Sequence, residues 1–206
     1  MSDETAANEA RWDARYGERE QIWSGNVNAA LVSEIADLPP GRALDVGCGE
    51  GADAVWLAQR GWDVTGLEVS GVALGRARAH AERAGAVVSW VHAGLAEAGL
   101  PPRSFDLVSA MYPALPRTPD AAAERALLDA VAVGGTLLLV LHAGMEHHTP
   151  EDGRFDPAGY VWPAMVAQRL DADWAIECDE QRERDVTAGA GAHHRADTVL
   201  RARRLR

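Results

Sequence analysis

ALDVGCGEGADAVWLA, residues 43–58, decides the fold. The short apolar run Arg42 to Val46 has the length of a buried strand and stops at Gly47. From Ala52 to Gln59 the period changes: Val55 and Leu57-Ala58 recur at helical spacing and face inward. Between strand and helix stand Gly47, Gly49 and Gly51. With no side chains there, a ligand can approach the backbone at a helix N-terminus. The spacing is GxGxG, with Asp45 two residues ahead, and differs from the GxGxxG fingerprint of nicotinamide and flavin proteins.

Working outward, the same alternation repeats. Gly61 ends the first helix, and Trp62 to Leu67 reads as a second strand. A helix from Gly71 to Ala84 follows, closed by Gly85. Val87 to Val91 and Phe105 to Ala110 are strands, Ala121 to Val131 a helix, and Thr136 to Leu141 a strand after a Gly134-Gly135 turn. Upstream lie two helices, Glu9 to Arg19 and Asn28 to Asp37, the second stopping before Pro39-Pro40. Downstream come a Pro-, Gly- and His-rich loop from Ala143 to Tyr160 and a short helix from Pro163 to Leu170. Trp174 to Val186 and Ala196 to Arg203 then form an antiparallel hairpin joined through Gly189 and Gly191, added at the sheet edge. The expectation is an α/β, doubly wound, mostly parallel seven-stranded sheet with a C-terminal antiparallel hairpin. One domain spans 1–206, residues 1–28 preceding a core of 29–204.

Composition removes several functions. All 20 basic residues are arginine, which excludes lysine Schiff-base chemistry and the P-loop lysine. A net charge of -11 works against nucleic acid and anionic membranes as partners. Cys48 and Cys178 cannot build a disulfide framework, and they lack CxxC spacing. The N-terminus has no basic start followed by an apolar run, and no stretch reaches the ~18 apolar residues of a span. A soluble cytoplasmic protein, monomer or homodimer, is expected. Glu68 ends the second strand in TGLEVS, placed to accept two ribose hydroxyls.

Glycine turn, preceding acid and second-strand acid together resemble the class I S-adenosylmethionine-dependent methyltransferases. WDARY at Trp12 to Tyr16, the short length and the terminal HHRADTVLRARR are similar to the small-molecule branch that includes tellurite-resistance and thiopurine-type enzymes. The resemblance implies a Rossmann-like methyltransferase fold and S-adenosylmethionine as cofactor, with S-adenosylhomocysteine as product. It implies that Gly47, Cys48, Gly49 and Gly51 line the methionine part, that Asp45 organises the turn or meets the amino group, and that Glu68 holds the ribose. Gly94 and Leu95 then lie beside adenine; no acid stands at Gly94, so Val69 and Leu95 supply an apolar sandwich instead. Ala110, Met111 and Tyr112 border the sulfonium. Residues 1–28 become a lid, with Trp12 and Tyr16 against the cofactor and Trp23 toward the acceptor, aromatic faces that suit a sulfonium. The same residues also fit ordinary packing of an amphipathic helix.

The acceptor is narrowed by what is missing. SAMYPALP replaces the (Asn/Asp/Ser)-Pro-Pro-aromatic motif of amine methylation, and no Pro-Cys nucleophile is present. Small-molecule sulfur, oxygen, nitrogen, chalcogen or halide acceptors remain, methylated by in-line displacement. His142, at the end of the fifth strand, is the first candidate proton acceptor and Tyr112 the second. His147 and His193, with Tyr160 and Trp162, are candidate acceptor contacts; solvated or structural roles stay open for the histidines. No metal is expected, since the histidines lack ligand spacing. Arg182 and Arg184 share a strand face, where they either pair with neighbouring acids or bind an anionic acceptor. Two alternatives remain: a protein that binds the cofactor without catalysis, and an NAD(P)-dependent oxidoreductase.

Overall fold

The structure is a computed structural model and describes residues 3–147, 156–184 and 194–206. Helix α1 (Asp3–Gly17) and the short α2 (Ala29–Glu34) precede the sheet. Then β1 (Arg42–Val46), α3 (Ala52–Ala58), β2 (Asp63–Glu68), α4 (Gly71–Ala84), β3 (Val88–His92) and β4 (Phe105–Met111) alternate, followed by α5 (Ala122–Ala130) and β5 (Val131–His142). After α6 (Pro163–Ala167), β6 (Trp174–Glu183) and β7 (Ala196–Arg204) complete seven strands in the order β3-β2-β1-β4-β5-β7-β6. β1 to β5 are parallel, and β7 runs antiparallel to both β5 and β6.

Local chemistry accounts for these elements. The side chain of Ser70 caps α4 by accepting from Ala73 N–H, and Gly85 closes it in the left-handed conformation at φ 63°. The central parallel strands β1 and β4 are buried along most of their length and read as apolar runs, whereas β3 at the edge is only partly buried. Leu44 and Val46 pack with Leu137 and Leu139 on one face, while Ala43 packs with Leu107 and Leu138 on the other. In-register pairing brings Asp45 beside Gly66 and Ser109, so the carboxyl ends of β1, β2 and β4 open at one place.

One sequence expectation changes. The Gly134-Gly135 pair is not a turn before a strand starting at Thr136; it lies inside the twelve-residue β5. Gly134 takes φ +83°, a Cβ on Gly135 would sit 2.9 Å from the carbonyl oxygen of Phe105, and the β4 register shifts between Phe105 and Leu107. The glycines therefore make a bulge that two strands can share. The C-terminal hairpin lies at the sheet edge as expected, with β7 between β5 and β6, its Val199, Leu200 and Ala202 buried, and β6 the outer strand of the pair. Among the described residues no helix is long and apolar enough to cross a membrane.

Candidate active site

The carboxyl ends of β1, β2, β4 and β5 surround a cavity of about 630 Å³. Its floor holds three buried carboxylates, Asp45, Asp53 and Glu68. Asp53 accepts from Asn28 N–H at 2.8 Å and from the Asn28 side-chain amide at 2.7 Å. Glu68 accepts from Gly49 N–H at 3.0 Å and Ser70 N–H at 2.9 Å, one bond per oxygen, which leaves each oxygen a further acceptor position. Asp45 Oδ2 has no hydrogen-bond partner. Burial, then the nearby charges of Asp53 and Glu68, pushes the Asp45 carboxyl well above the usual range. Burial raises Asp53 and Glu68 as well, against the hydrogen bonds that favour their ionised forms. Buried carboxyl groups with one oxygen unsatisfied are the complement of a ligand carrying a cation and several donors.

The three glycines divide this work. Gly47 and Gly49 take φ +69° and +52°. A Cβ on Gly47 would meet Pro113 at 3.5 Å, and one on Gly49 would meet the Tyr16 hydroxyl at 2.8 Å. Both glycines line the cavity. Gly51 points elsewhere: its Cβ would lie 2.9 Å from Ala77 of α4 and 3.1 Å from the Trp90 ring, so its role is helix packing.

The N-terminal segment is pinned over this turn. The Glu50 carboxylate accepts from Trp23 N–H at 3.0 Å and from Arg76 at 2.8 Å, and Arg76 donates onward to the carbonyls of Tyr16 and Arg19 at 2.7 Å each. Asp13 accepts from the Ser70 hydroxyl, and Tyr16 OH accepts from Trp23 Nε1 at 2.9 Å. Trp12, Tyr16 and Trp23 thereby form one wall. Burial is the main cause that drives the Tyr16 phenol above its ordinary range.

The opposite wall carries a second cluster. His142 and Asp197 are register partners across β5 and β7, and His142 Nδ1 lies 3.2 Å from Asp197 Oδ1. Tyr112 donates its hydroxyl to Asp197 Oδ2 at 2.7 Å; Arg184 Nε lies 3.1 Å from the same oxygen, its guanidinium 5.1 Å from the Tyr112 ring centre. Two rings lie against His142: Tyr112, tilted at 4.3 Å, and His194, stacked at 4.0 Å between centroids. Burial, then the bond to Asp197, raises the Tyr112 phenol well above its ordinary range, so its proton stays.

Most of the expected residues meet here. Asp45, Cys48, Glu68, Val69, Gly94, Leu95 and Met111 line the cavity, as do Tyr112, His142, Tyr160 and Trp162. Ala110 lies fully buried in the core instead. His147 is 85% exposed and pairs with Glu146. His193 lies outside the described residues. The two arginines separate: Arg182 is bound to Glu34 and Glu180, whereas Arg184, past the end of β6, reaches the cavity. Sequence reasoning missed Glu50, Asp53, Arg76 and Asp197. Glu50 and Asp53 sat within the quoted turn, but Arg76 and Asp197 become visible only once the strands are in register. Among the described residues no three His, Cys, Asp or Glu side chains gather as metal ligands.

Comparison with known proteins agrees with this geometry. Residues 43–135 match a family model described as a methyltransferase domain. An uncharacterized methyltransferase of Mycobacterium bovis is 37% identical over 90 residues, 43% of this chain. The match spans only 45% of that relative's own length. A solved structure concerned with the conversion of a disulfide bond into a thioacetal group during echinomycin biosynthesis superposes with TM-score 0.73 and 25% identity, covering 95% of this chain and 91% of the other. TehB from Haemophilus influenzae shares the fold at TM-score 0.64 and 18% identity, over 86% of this chain and 62% of its own.

Proposed function

We propose that this chain, whose residues 43–135 match a methyltransferase domain, is a class I methyltransferase that depends on S-adenosylmethionine and methylates a heteroatom of a small molecule by in-line displacement. The observation that carries this reading is the orphaned, buried Asp45 Oδ2 beside two left-handed glycines in a cavity lined by further carboxylates. When bound, the cofactor supplies a methyl carbon already activated by a sulfonium leaving group. Asp45 fits its ammonium group, and the spare acceptor positions of Glu68 fit the two ribose hydroxyls. Val69 and Leu95 flank the adenine, and Gly47 and Gly49 let the methionine portion lie on the backbone. Met111 and Tyr112 stand where the methyl group would face the acceptor. Trp12, Tyr16 and Trp23 exclude water from above, and their ring faces attract a sulfonium.

A cavity of about 630 Å³ lies within the usual range for a small-ligand site. Shared between cofactor and acceptor, it supports a small acceptor. The protein's contribution is then alignment at near-attack distance in a water-poor site. The structural relative concerned with a disulfide-to-thioacetal conversion supports sulfur among the acceptors considered.

Calorimetry with S-adenosylhomocysteine and NADH, followed by a mass-spectrometric methyl-transfer screen over thiols, phenols, azoles, halides and chalcogenides, tests the proposal. S-adenosylhomocysteine should bind and NADH should not, with a methylated product from at least one acceptor class. Gly49→Val should abolish cofactor binding and Glu68→Ala weaken it; unchanged affinity in both would remove the site assignment. Tight binding with no product from any acceptor would leave a binding protein without catalysis.

A further inference from the structure

We propose that the acceptor is a planar, weakly acidic X–H compound of the phenol or azole type, and that His142 Nε2 takes its proton while Asp197 holds the imidazole. This rests on the methyl-transfer reading above. Asp197, 6% exposed, receives Tyr112 O–H and lies beside Arg184 Nε, so its oxygens serve as acceptors. The imidazole proton therefore belongs on Nδ1, facing Asp197 Oδ1, and the lone pair on Nε2. Tyr112 and His194 both lie against the imidazole. With these two rings against it and Nδ1 occupied, the edge carrying Nε2 is what His142 offers to the cavity it lines. A base held in this way has a use only if the acceptor brings a proton.

The surroundings select the rest of the acceptor. Arg184 pairs with Asp197, so among the described residues this wall offers no net cation to hold an inorganic oxyanion or halide. Tyr160, Trp162, Val161 and Met145 add aromatic and apolar surface, the lining that takes a flat organic ring. Among the described residues, the titratable and charged groups facing His142 are Asp197 in β7, His194 just before it, Tyr112 after β4 and Arg184 after β6; Glu146 and His147, on the turn after β5, pair with each other. In the step, the X–H proton moves to Nε2, an electron pair on X forms the new bond to carbon, and the pair of the broken C–S bond stays on sulfur. The positive charge lost at sulfur reappears on the imidazolium, opposite Asp197. Loss of that proton to solvent resets the site.

Phenol and benzimidazole serve as protic probes, sodium iodide as the pre-ionised one, with S-adenosylhomocysteine affinity measured for every variant. At least one protic probe should be methylated, and His142→Gln should lower that turnover about 10²–10⁴-fold, the usual range for a lost general base. Added imidazole should restore part of the activity to His142→Gly. A second readout needs no methyl donor: 4-nitrophenol bound to the S-adenosylhomocysteine complex should show more phenolate absorbance than free 4-nitrophenol at the same pH. His142→Gln and Asp197→Asn should both lose this gain while keeping S-adenosylhomocysteine affinity within about threefold. Methylation of iodide alone, no phenolate gain on binding, or wild-type protic turnover in His142→Gln would overturn the acceptor class and leave the methyltransferase reading standing. Absence of S-adenosylhomocysteine binding would overturn both.

Discussion

Replacing Gly49 by alanine tests how the lid and the glycine turn share one space. Gly49 sits at φ +52°, where an L side chain costs about 1–2 kcal/mol. Its new Cβ would lie 2.8 Å from the Tyr16 hydroxyl, too close to stay, and Tyr16 is 3% exposed with its oxygen bonded to Trp23 Nε1. Moving it breaks that bond, about 1 kcal/mol more. The expected destabilisation is about 2–3 kcal/mol, a fall of roughly 4–12 °C in melting temperature for a chain of this size. Tyr16→Phe alone loses only the hydrogen bond, about 1 kcal/mol. In the double variant the clash is gone and the hydrogen bond is lost once, so the pair should cost about 1 kcal/mol less than the sum of the singles, above the usual ~0.3–0.5 kcal/mol scatter of additivity. Denaturant unfolding of all four proteins gives the cycle. Additive effects, or wild-type stability in Gly49→Ala, would refute the view that Tyr16 closes directly on the turn.

Asp45 makes ligand binding pH-dependent with a defined sign. Its carboxyl is raised by burial, so the folded protein holds a proton that the unfolded chain has lost, and stability falls as pH rises from about 4 through the raised value. A bound ammonium reverses the preference; S-adenosylhomocysteine binding at mildly acidic pH should release protons, seen by calorimetry in buffers of different ionisation enthalpy, and Asp45→Asn should reduce the release. Arg76→Leu removes the cation that joins Glu50 to the Tyr16 and Arg19 carbonyls, and should cost about 1.5–3 kcal/mol while speeding amide exchange at Ile22 and Trp23. Gly66→Ala would place a methyl 2.5 Å from the Trp90 ring between β2 and β3, and should destabilise by about 1–3 kcal/mol without altering the acceptor wall.

The Asp45 to Gly51 turn and the alternation around it were legible because both are local. A glycine at a strand-to-helix junction and a switch in hydrophobic period are written in consecutive residues, and Gly71–Ala84 has its expected bounds because Ser70 and Gly85 cap it on the spot. Gly134-Gly135 misled because the same dipeptide serves a turn or a bulge, and only contact with the Phe105 carbonyl tells them apart. His147 and His142 looked alike as loop and strand-end histidines. Their difference is a partner: Asp197, 55 residues from His142, fixes one ring, while the other lies in solvent beside Glu146.

By itself, then, the sequence determined the parallel α/β sheet, the glycine turn and two of the acids at its floor, Asp45 and Glu68, since backbone freedom and side-chain period act over a few residues. Tertiary structure alone decided which charges face one another. Arg76 with Glu50, Arg184 with Asp197 and Tyr112 with Asp197 are separated by 26, 13 and 85 positions, taking the differences of their residue numbers. Such pairs form only when strand register and crossover direction bring them within hydrogen-bond reach, and no local pattern encodes that register.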